Sequence, residues 1–137
     1  MKIFLRILML VGMVYSLGAC SKGPDSSAPP PGSVTCTCFL NAHPCESSRR
    51  LEAWTRESLN QNFPNLLQSG ALIYRTVDYD KKENAHFMKD YDLPFQSVVL
   101  TGRKGYVRMD KLWRWLGDEA AFKKMVRDET VKYLQGN

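Results

Sequence analysis

The sequence has no apolar run long enough for a membrane-spanning helix. Its longest hydrophobic stretch, residues 7–15 (ILMLVGMVY), falls well short of the roughly 20 residues that a bilayer core requires. It also has no dense Lys/Arg cluster, and a formal net charge of +5 over 137 residues is mild, so no nucleic-acid partner is expected. No glycine-rich loop has phosphate-binding spacing. Gly102-Arg103-Lys104-Gly105 is too short and sits in a turn, so no flavin or nicotinamide cofactor is expected. The Cys-x-x-Cys motif is missing as well. That excludes a complete dithiol–disulfide cycle within one motif, and it removes the knuckles of a typical zinc site. No internal repeat or second domain is visible.

What is present begins with a leader. Lys2 and Arg6 form a charged start, residues 7–15 an apolar centre, and Leu17-Gly18-Ala19-Cys20 a small-residue end. The tetrad resembles the bacterial lipobox, in which the cysteine is lipidated and becomes the first residue. The resemblance implies a signal peptide over residues 1–19, lipidation of Cys20 and an envelope location, the outer membrane in a Gram-negative host. Loss of Lys2 and Arg6 lowers the formal charge from +5 to +3. Residues 21–33 (SKGPDSSAPPPGS) are rich in Ser, Pro and Gly without apolar periodicity, so residues 20–33 are expected to form a disordered tether.

Residues 34–137 read as one domain. Residues 34–40 (VTCTCFL) carry a buried-strand pattern, and Asn41-Ala42-His43-Pro44 a turn. Residues 46–60 read as a helix whose inward face is Leu51, Trp54, Thr55, Ser58 and Leu59. Pro64 and Gly70 punctuate a link to a second strand at 71–77. Residues 81–91 read as a short helix with Ala85, Met88 and Phe87 inward, broken by Pro94. Strands follow at 97–100 and 106–109, joined by a tight turn over 102–105. Asp110 can cap a helical turn through Leu116, and Asp118 a final helix bearing Phe122, Met125, Val126, Glu129 and Tyr133, with Leu134 beside them. The order β-α-β-α-β-β-α resembles an α/β thioredoxin-like fold: a mixed four-stranded sheet with helices on both faces.

The chemistry gathers in ten residues. Cys45 falls where the first strand hands over to the first helix, and a helix N-terminus favours a thiolate. His43 and Arg49 add to that effect and Glu46 opposes it. Three residues on stands Ser48, which cannot form a disulfide. Cys36 and Cys38 alternate on the strand and share a face with Val34 and Leu40, which suits a core; alternatively Cys38, near the strand end, replaces the missing thiol. Cys36, Cys38, His43 and Cys45 are soft metal ligands, but Cys-x-Cys on a regular strand splays poorly around one ion, and no metal is assigned. His86 is expected to face solvent, Trp54, Trp113 and Trp115 to cover the core, and the charged run 78–83 to be solvated.

Cys45-Glu46-Ser47-Ser48-Arg49-Arg50-Leu51-Glu52-Ala53-Trp54-Thr55, with Phe39 ahead of it, resembles the F…C-x-x-C-R-K-I-E-A-Y-T segment of a bacterial thioredoxin-like family labelled nitrophenyl compound nitroreductase subunit, ArsF type. Glu83-Asn84-Ala85-His86-Phe87-Met88-Lys89-Asp90-Tyr91 is similar to its E-N-x-H-F-x-x-D-Y helix, and Ser97-Val98-Val99-Leu100 to its S-V-V-L strand. The resemblance spans residues 34–137. It implies the fold and an accessory redox role, with the first motif cysteine at Cys45 and the second replaced by Ser48. Ser97 stands where the broader thioredoxin group has a proline. Three expectations follow. The first is a lipid-anchored envelope protein with monothiol chemistry at Cys45, served by Ser48 or Cys38 and acting on an envelope or redox partner. The second is a non-catalytic envelope binding module, and the third a Cys/His metal-handling protein.

Overall fold

In the computed structural model, which describes residues 31–137, Val34–Leu40 forms strand β1, and all seven of its residues are buried. Its β-branched and apolar side chains suit a strand covered on both faces. The chain continues through α1 (Glu46–Asn62), α2 (Pro64–Ser69), β2 (Leu72–Asp78), a 3-10 turn (Lys82–Asn84), α3 (Phe87–Asp90), β3 (Ser97–Gly102), β4 (Gly105–Arg108), a second 3-10 segment (Asp110–Trp115) and α4 (Glu119–Gly136). The strands form one mixed sheet in the order β2-β1-β3-β4. β1 runs parallel to β2, with Val34 opposite Leu72 and Leu40 opposite Asp78. It runs antiparallel to β3, with Thr35 opposite Thr101 and Phe39 opposite Ser97. β3 and β4 make an antiparallel hairpin in which Gly102 faces Gly105. Two residues close it, and Gly105 at φ +104° takes a backbone angle that only glycine adopts easily.

Alternation along β1 divides the core between the two faces of the sheet. Val34, Cys36, Cys38 and Leu40 pack with Leu51 and Leu59 of α1, Val98 and Leu100 of β3, and Phe122 and Val126 of α4. Phe39 points the other way and packs with Val99, Phe87 and Leu93. Phe39 meets Phe87 at 5.3 Å and Tyr91 at 5.5 Å between ring centres. Across the larger core, Trp54 meets Phe122 edge-on at 5.4 Å. α1 and α4 are also tied by the Ser58 hydroxyl, which donates to the Lys123 carbonyl at 2.7 Å, and by Lys123 Nζ, which reaches Glu57 at 2.7 Å and Glu119 at 2.6 Å. Asp118 caps α4 by accepting from the Ala121 amide at 3.0 Å, as its position ahead of the helix predicts.

The structure departs from the sequence expectations in definite places. Residues 64–70 are not a bare link: Pro64 opens α2 and Gly70, at φ +76°, closes it. The helix expected over 81–91 is a 3-10 turn followed by one helical turn, with Phe87 buried and Ala85 exposed. That stretch has too few apolar residues to bury a continuous helical face, so only the Phe87 end is held. Trp115 is 39 % exposed and does not cover the core, because the Asp110–Trp115 segment turns with the tighter 3-10 period and buries Leu112. α4 also buries Thr130, which lacks the apolar character that marks an inward position in the sequence. Tether residue Ser33 is buried against the domain, and residues 31–32 form a turn, so order begins ahead of Val34. Residues 1–30, which include the expected leader and Cys20, lie outside the described residues. Among the described residues no helix is long and apolar enough to cross a membrane.

Phe122 is fully buried where α1 and α4 meet, so Phe122→Ala should cost about 3–5 kcal/mol of stability. Phe95→Ala, at a position 42 % exposed, should cost under about 1 kcal/mol. Urea unfolding checks both. Equal midpoint shifts for the two variants would contradict this placement of the core.

Candidate thiol site at the start of the first helix

β1 ends at Leu40, and five residues later Cys45 is the N-cap of α1, in extended conformation. Pro44 precedes it and disfavours helical backbone at His43, the residue before it; the Cys45 carbonyl accepts from the Arg49 amide at 3.0 Å. The cysteine is exposed. Its Sγ lies 3.2 Å from the Ser48 hydroxyl, and Ser48 itself is fully buried. The pair has a wet side and a dry side, with an accessible sulfur backed by a hydroxyl that packing holds still.

This setting lowers the Cys45 pKa. The Ser48 hydroxyl is the largest cause, followed by the Ser48 backbone amide, with the Ser47 amide adding less; partial desolvation works against them. No side-chain capping bond forms at Cys45, and the Ser48 hydroxyl is the side-chain partner of the sulfur. Two arginines brace the surrounding backbone. Arg49 donates to the Pro44 carbonyl at 2.6 Å. Arg50 donates to the Leu116 carbonyl at 3.0 Å and to Glu46 at 2.8 Å, and its guanidinium lies 5.4 Å from the Trp54 ring centre. Arg50 therefore fixes the first turn of α1 against the segment that follows Trp115.

The other cysteines occupy a different environment. Cys36 and Cys38 are buried in the larger core, and all three described cysteines are free thiols. Burial pushes the Cys36 thiol up to about 12 and raises Cys38 further, with Cys36 and Glu52 adding to the Cys38 shift. Both are protonated and inert at neutral pH. Cys38 is thus placed as a core residue, and Ser48 is the group that the fold brings to Cys45. His43 is exposed while Cys36 and Cys38 are enclosed, so the four candidate metal ligands are not drawn together. Among the described residues no three His, Cys, Asp or Glu side chains could share an ion. His86 faces solvent as expected and pairs with Asp90 at 2.8 Å.

The same end of the sheet gathers residues from β3 and beyond that sequence reasoning did not bring together. Because Phe39 pairs with Ser97, the segment before β3 emerges at the same end of the sheet as Cys45. There the Ser97 hydroxyl donates to the Phe95 carbonyl at 3.0 Å and to Asp110 at 3.3 Å. Trp113 Nε1 donates to the Gln96 carbonyl at 2.9 Å, and its ring meets Phe95 edge-on at 5.5 Å. Asp110 and Arg108 pair at 3.1 Å, and Arg108 also donates to the Asp92 carbonyl. No local sequence signal links residues 92–97 to residues 108–113; the β3–β4 register does.

Cys45 should alkylate with a midpoint below the roughly 8.5 of a free thiol, while Cys36 and Cys38 resist until the domain unfolds. Ser48→Ala removes the donor that favours the charged form. The Cys45 midpoint should then rise and its alkylation rate at pH 7 fall by roughly threefold or more. Per-cysteine mass spectrometry across pH reads both effects, and an unchanged midpoint in Ser48→Ala would show that the hydroxyl does not tune the sulfur.

No protein-family model and no curated protein sequence matches the chain. Among solved structures it is similar to one described as "Structure of a malarial protein", with 14% identity and a TM-score of 0.43, covering 57% of this chain and 80% of that one.

Proposed function

We propose that this chain is a lipid-anchored cell-envelope protein on a thioredoxin-like fold, acting in monothiol exchange through Cys45. One observation carries the chemistry: an exposed sulfur at the N-cap of a 17-residue helix, 3.2 Å from a buried hydroxyl and lowered in pKa. The fold reading is supported by the sheet order β2-β1-β3-β4, with β1 and β2 parallel and an antiparallel β3–β4 hairpin at the other edge. The placing of Cys45 and Ser48 one helical turn apart agrees with the resemblance to the nitrophenyl compound nitroreductase subunit family, ArsF type.

In the exchange, the Cys45 thiolate attacks one sulfur of a partner disulfide. A new S–S bond forms to Cys45 as the partner's bond breaks, and the second partner sulfur leaves as thiolate. Position 48 holds no second thiol to resolve the mixed disulfide, so an external thiol, free or on a partner protein, attacks the partner's sulfur and releases Cys45 as thiolate. The electron count is unchanged across the two exchanges. Ser48 stabilises Cys45 as thiolate, both when it attacks and when it leaves, by donating a hydrogen bond to the sulfur. The absence of a resolving thiol also favours a second reading, in which the domain binds an envelope partner without turnover.

The native chain should form one mixed disulfide with a small aromatic disulfide, at Cys45, and show no insulin reduction. Ser48→Cys should close a disulfide between Cys45 and the introduced thiol, since the native sulfur and hydroxyl already lie 3.2 Å apart, and should gain insulin reduction. A Cys45→Ser chain that exchanges as fast as the native one would remove Cys45 from the mechanism and leave the binding reading. The anchor is tested apart from the thiol. Cys20→Ala should block processing and lipid attachment, and a native chain without added lipid mass would overturn the anchor.

A further inference from the structure

The two ends of the sheet differ in charge. At one end, where β1 hands over to Cys45, lie the acids Asp78 and Asp80, at and just after Leu40's partner position, and Asp92 and Asp110 beside the start of β3. At the other end the chain enters the sheet. Val34 pairs with Leu72, and Thr35 with Thr101, just ahead of the β3–β4 turn. That turn is Arg103-Lys104, both exposed. α4 brings its last residues to the same place: Tyr133 donates to the Gly105 carbonyl at 2.6 Å, and Asn137 Oδ1 accepts from the Lys104 amide at 3.4 Å. Lys132 is exposed there as well. Among the described residues none of Arg103, Lys104 and Lys132 is in an ion pair; the same is true of Lys81 and Lys82 near the other end, but there the acids named above lie beside the cations. Between β4 and α4 runs an open cavity of about 250 Å³, lined by Lys104, Tyr106, Val107, Glu129, Lys132 and Tyr133. Tyr106 is 46 % exposed and Val107 40 % exposed. Glu129 is the acid that shares this groove with the two lysines.

Unpaired cations around an exposed aromatic and an exposed valine match an anionic lipid surface. The cations meet headgroup phosphates, and an aromatic ring with a polar tip sits at the headgroup level. The position of this end selects that occupant. Residues 21–30, at about 3.3 Å each, reach roughly 33 Å at most from Cys20 to the ordered turn at residues 31–32. The end that receives the tether is therefore the one held near a bilayer by a lipid on Cys20. We propose that Arg103, Lys104 and Lys132, with Tyr106 and Val107, form a docking face for anionic lipid headgroups. This rests on the lipid-anchor reading and deepens it. The docked domain turns Cys45, at the opposite end of the sheet, away from the membrane and toward soluble partners.

The test uses the processed chain on vesicles of phosphatidylcholine alone or with about a third phosphatidylglycerol, labelled with a membrane-impermeant amine reagent. On the anionic vesicles, labelling of Lys104 and Lys132 should fall at least about threefold relative to Lys81 and Lys89, which serve as references on the other end. Salt at about 0.5 M, where the screening length shrinks to a few ångström, should reverse the protection. The Cys45 alkylation rate should be the same on both vesicles. Equal labelling on both lipid compositions would overturn the docking face. So would protection of Lys81 and Lys89 instead, or protection of Lys104 and Lys132 that persists without vesicles. The mass of the N-terminal peptide reports the anchor separately. If that mass shows no lipid, flotation of the unacylated chain with the anionic vesicles still supports the face, and failure to float overturns it.

Discussion

β1 has no solvent face. All seven of its residues are buried, so every backbone amide and carbonyl along it needs a partner, and β2 on one side and β3 on the other supply them. Its side chains then need cover above and below. Leu51, Leu59, Phe122 and Val126 provide it on one face, and Phe87 and Leu93 on the other. Almost every other placement follows. The parallel β1–β2 pair requires a crossover, which is α1 and α2. The β3–β4 hairpin completes the sheet, and α4 folds back beside α1.

The same constraint sets the thiol chemistry. Two cysteines within β1 share the fate of the strand: enclosed, protonated and unreactive. The third lies just past the strand's end, where the chain must leave the core and begin a helix. There the backbone turns outward at Pro44-Cys45 and inward again by Ser48, so one helical turn spans the boundary between water and core. Packing immobilises the Ser48 hydroxyl while the Cys45 sulfur stays accessible. A freely rotating hydroxyl on the surface would divide its hydrogen bonds with water; a buried one has few other partners, which is why it governs the sulfur's acidity.

The two ends of the sheet differ in chemical character. Its Cys45 end carries acids and a hydrogen-bonded frame of Ser97, Asp110, Arg108 and Trp113. Its hairpin end carries unpaired cations and partly exposed apolar groups. On the proposed reading, the rigid sheet keeps the anchored end and the thiol end apart.

The sequence by itself determined the α/β alternation, the buried character of residues 34–40, the helix beginning at Cys45 and the Asp118 cap. Each depends on near neighbours: alternation along a strand, a proline or an acid just ahead of a helix, apolar spacing on one helical face. The Cys45–Ser48 spacing was legible for the same reason, since residues three apart meet on a helix. Tertiary structure alone decided the rest. That Ser48 is buried and Cys45 exposed depends on how α1 lies on the sheet. The inert state of Cys38 depends on the cover that α1 and α4 supply. The meeting of residues 92–97 with residues 108–113 depends on the β3–β4 register. The place where the helix expected over 81–91 is held depends on a long-range contact that no local pattern records: Phe87 packs on Phe39, with 5.3 Å between ring centres. Contacts between distant segments carry no local signature, so the sequence named the candidate thiol and the fold supplied the buried hydroxyl beside it.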